Sequence, residues 1–176
     1  MATIGTLERV SAASLSQIIL GAQDAATAGD PTIAIIDVRD DDHIGGHIKG
    51  SQNVPSRTLE AMLPTLVRQL QDKETVVFHC ALSQQRGPAA ALRYIRERER
   101  LLAANKAAAD REQSTTAGDG AEEDGAAPAA GEETPAKEQK VVVLDRGFVG
   151  WQEVHGTDER LTEGYRKELW EDGYWG

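Results

Sequence analysis

The chain carries one cysteine, Cys80, in 176 residues. No intrachain disulfide can form, and a lone thiol suits a reducing compartment, so a cytoplasmic or nuclear protein is expected. No apolar run approaches the ~20 residues that a membrane helix needs. Residues 1–5 have no basic character and no apolar stretch follows them, so no secretory signal is read there. Positive charge is also short. Against 29 Asp and Glu stand 19 Lys and Arg, and the net charge of −10 argues against general nucleic-acid binding. No internal repeat is visible. Residues 103–140 lack Val, Ile, Leu, Met, Phe, Tyr and Trp altogether, and Ala, Gly, Glu and Asp dominate them. Such a stretch cannot bury enough apolar surface to offset its ordering entropy. A disordered insertion is expected there, its Ala-rich start extending the preceding helix by a turn or two. The expectation is one domain over residues 1–176, with a core of ordinary size.

What is present is organised around Val76-Val77-Phe78-His79-Cys80-Ala81-Leu82-Ser83-Gln84-Gln85-Arg86-Gly87-Pro88. Residues 75–78 form a β-branched and aromatic run that reads as a buried strand. A small or polar seven-residue loop follows, from Cys80 at one end to Arg86 at the other. Gly87-Pro88 then reads as a helix start, where the missing N–H of proline costs nothing. Strand, loop and helix N-terminus form an anion-binding geometry, because free N–H groups converge and the helix dipole adds positive potential. The field that holds an oxyanion also favours thiolate over thiol, which makes Cys80 a candidate nucleophile. A buried, inert cysteine is the alternative; the polar loop, the preceding His79 and the closing Arg-Gly-Pro weigh against it.

In chain order, residues 6–10 read as a first strand, and Ser11 caps a helix carrying Leu15, Ile18 and Ile19. After Pro31, the near-continuous apolar run of residues 32–38 reads as a parallel strand covered on both faces. Two His and four Asp lie within residues 37–47. Their spacing fits no standard metal-ligand pattern, and a strand-end loop tied by polar side chains, turning at Gly45-Gly46, is expected instead. Leu59, Met62, Leu63, Leu66, Val67 and Leu70 form one apolar helical face. Pro64 lies within it and predicts two short helices or a kink. Beyond the central loop, Leu92, Ile95, Leu101 and Leu102 are expected inward, with Arg93, Arg96, Arg98 and Arg100 on a solvated face. Val141-Val142-Val143-Leu144 is the last strand, residues 147–151 turn back onto the core, residues 161–169 read as a final helix, and an aromatic tail follows. The alternation predicts an α/β domain with a parallel sheet and helices on both faces. Ligands bind such sheets outside the carboxyl ends of strands, where the loops at Cys80 and Asp37 both lie.

These residues carry a resemblance. Asp37-Val38-Arg39, Gly45-Gly46-His47-Ile48-Lys49-Gly50-Ser51 and Asn53-Val54-Pro55 resemble the first signature of the rhodanese fold, and Gly147-Phe148-Val149-Gly150-Trp151 resembles its closing motif. The central loop is similar to that of cell-division-cycle-type dual-specificity phosphatases, and more so to their small single-domain fungal relatives, which include phosphatases and arsenate reductases. The resemblance implies a three-layer domain with a five-stranded, mainly parallel sheet. It implies a phosphatase in which Cys80 forms a phosphocysteine and Arg86 binds two oxygens. The backbone of Ala81, Leu82, Ser83, Gln84, Gln85 and Arg86 would cradle the substrate, a phosphorylated protein or small oxyanion. Sulfurtransferases of the fold resemble the chain too, with an active loop one residue shorter.

Three positions depart from the resembled patterns. Gly87 stands where tyrosine phosphatases carry Ser or Thr. Gln85 stands where the cell-division-cycle type carries Glu, so the loop holds no acid. A second cysteine near Cys80 is lacking. Asp37 is the candidate acid by position, the alternative being a structural bond to Arg39 or a loop amide; His79 and Ser83 are expected to brace the loop. Arsenate reduction on the same loop, with the second thiol from external glutathione or glutaredoxin, is the main alternative. A sulfurtransferase or a non-catalytic phosphate-binding module is the other. No metal and no resident cofactor is expected, and no membrane association; the sequence leaves the oligomeric state open.

Overall fold

The computed structural model describes residues 3–24, 32–115 and 138–171. Its elements in chain order are β1 (Glu8–Val10), α1 (Ala12–Asp24), β2 (Ile33–Asp37), β3 (His47–Ile48), β4 (Gln52–Asn53), α2 (Ser56–Gln69), β5 (Thr75–His79), α3 (Arg86–Thr115), β6 (Lys140–Leu144), α4 (Gly147–His155) and β7 (Thr162–Glu163). Five strands form one sheet in the order β1-β6-β5-β2-β4, every neighbouring pair parallel. Strands β3 and β7 pair antiparallel in a separate two-stranded sheet.

Burial on both faces explains the continuous apolar runs of the central strands. Alternate residues of β5 point opposite ways. Val76 and Phe78 join a core with Leu59, Leu63 and Leu66 of α2 and Ala91 and Tyr94 of α3. Val77 joins the other core with Leu15 and Ile19 of α1 and Phe148 and Trp151 of α4. The three-layer expectation holds. Ser11 caps α1 as predicted, its Oγ accepting from the Ser14 N–H at 3.1 Å.

Four local expectations are corrected. First, α2 runs unbroken through Pro64, because Leu59, Leu63, Leu66 and Val67 bury one stripe along both of its halves and hold it together. Second, residues 161–169 form no α-helix, only a single 3-10 turn at Lys167–Leu169. Thr162 and Glu163 are strand β7, its Thr162 hydroxyl accepting from the Trp151 indole N–H at 2.9 Å, and Gly164 then turns at φ 64°. Third, α3 starts one residue before Gly87 and continues far beyond Leu102, to Thr115, so residues 103–115 of the expected insertion are helical. The disorder expected over residues 116–137 lies outside the described residues, as does the tail from 172. Fourth, Leu102 is exposed, and the inward residue that periodicity missed is Tyr94, fully buried against Phe78.

Gln139 lies at the other end of the expected insertion and is a structural anchor. It accepts from the Tyr94 hydroxyl at 2.7 Å and donates to the Leu70 and Lys73 carbonyls at 2.7 and 2.9 Å, tying α3 and the end of α2 to the start of β6. Gln139→Ala should lower stability by about 1–3 kcal/mol, the range for stripping partners from buried polar groups. A urea melt reads it; an unchanged midpoint would mean that water replaces the amide without loss.

Candidate active site

Strands β2 and β5 are neighbours in register, Asp37 opposite His79, so the loops that leave them meet at one edge of the sheet. The loop after β5 begins at Cys80 and closes at Arg86, the first residue of α3. Its shape is set by what happens to its carbonyls. The Cys80 carbonyl accepts from the Phe148 N–H at 3.0 Å, and the Ala81 carbonyl from the Val149 N–H at 2.9 Å. Arg9 reaches from β1 and donates to the Ser83 carbonyl at 3.1 Å. With these oxygens drawn away, the N–H groups are left to face the loop's interior. Ser83, at φ 53°, supplies the left-handed turn, and its own N–H donates to Cys80 Sγ at 3.2 Å. Ser83 thus braces the loop through its backbone; its buried hydroxyl has no partner.

The N-terminus of α4 therefore works as a clamp on the loop, and this is the physical content of the Gly147-Phe148-Val149-Gly150-Trp151 motif. Gly147 has φ 56°, and a Cβ there would lie 2.5 Å from both the Cys80 and the Ala81 carbonyl oxygens. Gly147→Ala should cost at least ~1–2 kcal/mol for the left-handed backbone alone, and it should also weaken phosphate binding by displacing the clamp. Thermal melts and phosphate titration check both. Undiminished phosphate binding would show that the loop keeps its shape without α4.

His79 is fully buried. Burial holds its pKa below the usual imidazole value and keeps it neutral. Its Nδ1 lies 3.1 Å from the Cys80 carbonyl, which assigns the proton to Nδ1 as donor. Asp37 is fully buried as well. Burial pushes its carboxyl up, but the bonds from Arg39 more than offset this, so it stays ionised, below the usual range. Arg39 donates through Nε at 3.0 and 3.1 Å and through Nη2 at 2.7 Å, and its Nη2 also holds the Gly46 carbonyl at 2.9 Å. The Arg39 guanidinium sits 4.3 Å from the centre of the Phe148 ring. Asp37 is thus committed to Arg39, with the partly exposed His43 imidazole 3.5 Å from its Oδ2, and these bonds fit the structural role that was the alternative for it.

The residues that sequence reasoning missed are Asp40 and Asp42. The Arg86 guanidinium turns to them: Nη1 lies 2.8 Å and Nη2 2.6 Å from the two oxygens of Asp42, and Nη1 lies 3.2 Å from Asp40. Hydrogen bonds from Arg86 hold Asp42 well down, to about 2. The same bonds raise Arg86. Asp40 is also the cap of α2, accepting from the Ser56 hydroxyl at 2.6 Å and the Arg57 N–H at 3.2 Å. The parallel order of β2 beside β5 was the available signal: it places the acidic loop after β2 against the end of the cysteine loop. Among the described residues no group of three or more His, Cys, Asp or Glu side chains is placed to hold a metal ion. Nor is any described helix long and apolar enough to cross a membrane.

The model of the rhodanese-like domain matches residues 22–154. The chain belongs to the rhodanese-like family. Among curated relatives of this rhodanese-like domain is the rice protein Arsenate reductase 2.1, 34% identical over 142 residues, or 80% of this chain and 69% of that protein. Another is the CDC25-like phosphatase YCH1 of Saccharomyces cerevisiae, 32% identical over 146 residues, or 77% and 76%. Among solved structures, a yeast protein tyrosine phosphatase of the rhodanese family superposes with a TM-score of 0.63 at 29% identity, covering 94% of this chain and 98% of that one. The fold and family that the motifs implied are those found.

Proposed function

We propose that this rhodanese-like domain is a cysteine-dependent phosphatase of the tyrosine or dual-specificity kind. The observation that carries the reading is the loop itself: seven residues long, its carbonyls pinned outward by α4 and Arg9, with Cys80 Sγ at its floor and Arg86 at its rim. Cys80 attacks phosphorus, the ester P–O bond breaks, and the phosphocysteine is then hydrolysed by water. N–H groups from Ala81 to Arg86, with Leu82, Ser83, Gln84 and Gln85 between them, hold the equatorial oxygens. Arg86 leaves its carboxylate partners and binds two of those oxygens bidentately, stabilising the transition state. The substrate is a phosphorylated protein side chain or a small phosphate ester, and the reaction needs no cofactor. The relatives named phosphatases support this reading.

A second reading, arsenate reduction, has its own support in the rice relatives named arsenate reductases. Arsenate is a tetrahedral oxyanion of the same shape, and with Cys80 alone the second thiol must come from glutathione or a glutaredoxin. Parallel assays on an aryl phosphate, on arsenate with glutathione, and on thiosulfate with cyanide separate these from sulfur transfer. Turnover on the aryl phosphate is expected to exceed the others; sulfur transfer alone would sink the phosphatase reading.

A further inference from the structure

The loop carries no acid: Ala81, Leu82, Ser83, Gln84 and Gln85 offer no carboxyl, and Asp37 is buried and committed to Arg39. An alkoxide or phenolate leaving group of pKa about 10 or more departs poorly without a proton. We propose that Asp42 is the proton donor to the leaving group, and that substrate itself arms it by drawing Arg86 away.

The geometry selects Asp42 from the two carboxylates on Arg86. Asp40 is committed elsewhere, to the Ser56 hydroxyl and the Arg57 N–H at the start of α2. Asp42 takes the bidentate half of the arginine's grip, one oxygen on each of Nη1 and Nη2, and its side chain is 17% exposed at the rim of the loop. Charged and titratable groups face it from several elements. Arg86 faces it from α3 and Cys80 from the end of β5, the latter close enough to act on Arg86. On its own loop stand Asp40, whose N–H it accepts at 3.0 Å, Asp41, which is paired with Arg57 of α2 at 2.8 Å, and His43, held neutral chiefly by burial. At rest, Arg86 is the cation that keeps Asp42 ionised. A phosphate dianion in the loop competes for the same two-pronged fork. As the fork turns, Asp42 loses its cation and gains an anion beside it, and both changes drive its carboxyl to take a proton from solvent.

The cycle balances. The Cys80 thiolate pair forms the S–P bond, the P–O bond pair passes to the leaving oxygen, and that oxygen takes the Asp42 proton, leaving carboxylate and alcohol. Water then attacks the phosphocysteine, Asp42 accepts the water's proton, the S–P pair returns to sulfur, and hydrogen phosphate departs. Arg86 swings back to Asp42 and expels the proton. One carboxyl thus serves as acid and then base, its state set by where the arginine points.

This rests on the phosphatase reading, and the experiment keeps the two apart. Wild type, Asp42→Asn and Asp42→Glu are assayed on phenyl, 4-nitrophenyl and 2,4-dinitrophenyl phosphates, with melting temperature and inhibition by inorganic phosphate as controls. The Asn variant should lose about 10²-fold or more in kcat/KM on the phenyl ester and under about threefold in kcat/KM on the dinitrophenyl ester, whose phenolate leaves unaided; kcat/KM reads the steps up to leaving-group departure and so excludes the later hydrolysis, in which Asp42 acts as base on every ester alike. Its kcat should also lose the fall at high pH that wild type shows, and the Glu variant should recover part of the phenyl-ester rate. Equal loss on all three esters overturns the proposal and makes Asp42 a positioning residue for Arg86. If Asp42→Asn does not fold, the wild-type series decides: a steep fall of kcat/KM with leaving-group pKa overturns it, a shallow one supports it. A wild type that binds phosphate yet hydrolyses no ester overturns the phosphatase reading and this with it.

Discussion

Cys80→Ser is expected to turn over no phosphate ester at all while keeping its fold. Cys80 is only 3% exposed and packs in the core that contains Val76 and Phe78, and oxygen is the smaller atom, so the exchange leaves no clash. The melting temperature should stay within about 2–4 °C of wild type, the shift that corresponds to roughly 1 kcal/mol for a domain of this size. Chemistry is another matter. A serine hydroxyl holds its proton far more tightly than a thiol, and nothing beside it can take that proton. His79 donates through Nδ1 to the Cys80 carbonyl, and Asp37 is committed to Arg39. Oxyanion binding should survive, because the N–H groups and the α4 clamp belong to the backbone. Phosphate titration of the variant reads binding and a continuous assay reads turnover. A variant retaining a substantial share of wild-type turnover would show that Cys80 is not the nucleophile.

The parts of this molecule legible in its sequence are those where local pattern and tertiary role coincide. Residues 32–38 and 75–78 are apolar throughout because both faces of their strands are covered, and that pattern has one reading. The loop from Cys80 to Arg86 was legible because its ends carry the chemistry. Failures fall where distant partners decide. Residues 161–169 have the composition of a helix, yet Thr162 is claimed by Trp151 and Glu163 by pairing with His47. Pro64 breaks an isolated helix, but core contacts on either side of it outweigh the lost hydrogen bond. Gln139 sat in a stretch without apolar residues, and its value is three hydrogen bonds to partners far away in sequence. Asp40 and Asp42 looked like generic loop acids. Only the order of the strands brings them to Arg86, and that order is a property of the whole sheet.

Arg86→Lys is expected to lose about 10²–10³-fold in kcat/KM on an aryl phosphate, although the charge is kept. The loss corresponds to roughly 2.7–4 kcal/mol, as for one preorganised transition-state donor. An ammonium is a compact point charge on a flexible stem and cannot present two parallel N–H groups to two oxygens. The resting state makes the same demand visible: the fork fits the two oxygens of Asp42 at 2.8 and 2.6 Å while still reaching Asp40. Catalysis asks it to exchange one bidentate partner for another, and a lysine does neither well. Stability should change little, because both sides of the pair reach solvent, at 31% and 17% exposure, where such pairs contribute at most about 1 kcal/mol. A large kinetic loss with a small thermal shift therefore separates a role in the transition state from a role in folding. Loss of only a few-fold would mean that Arg86 supplies bulk charge alone, and the bidentate mechanism would be wrong.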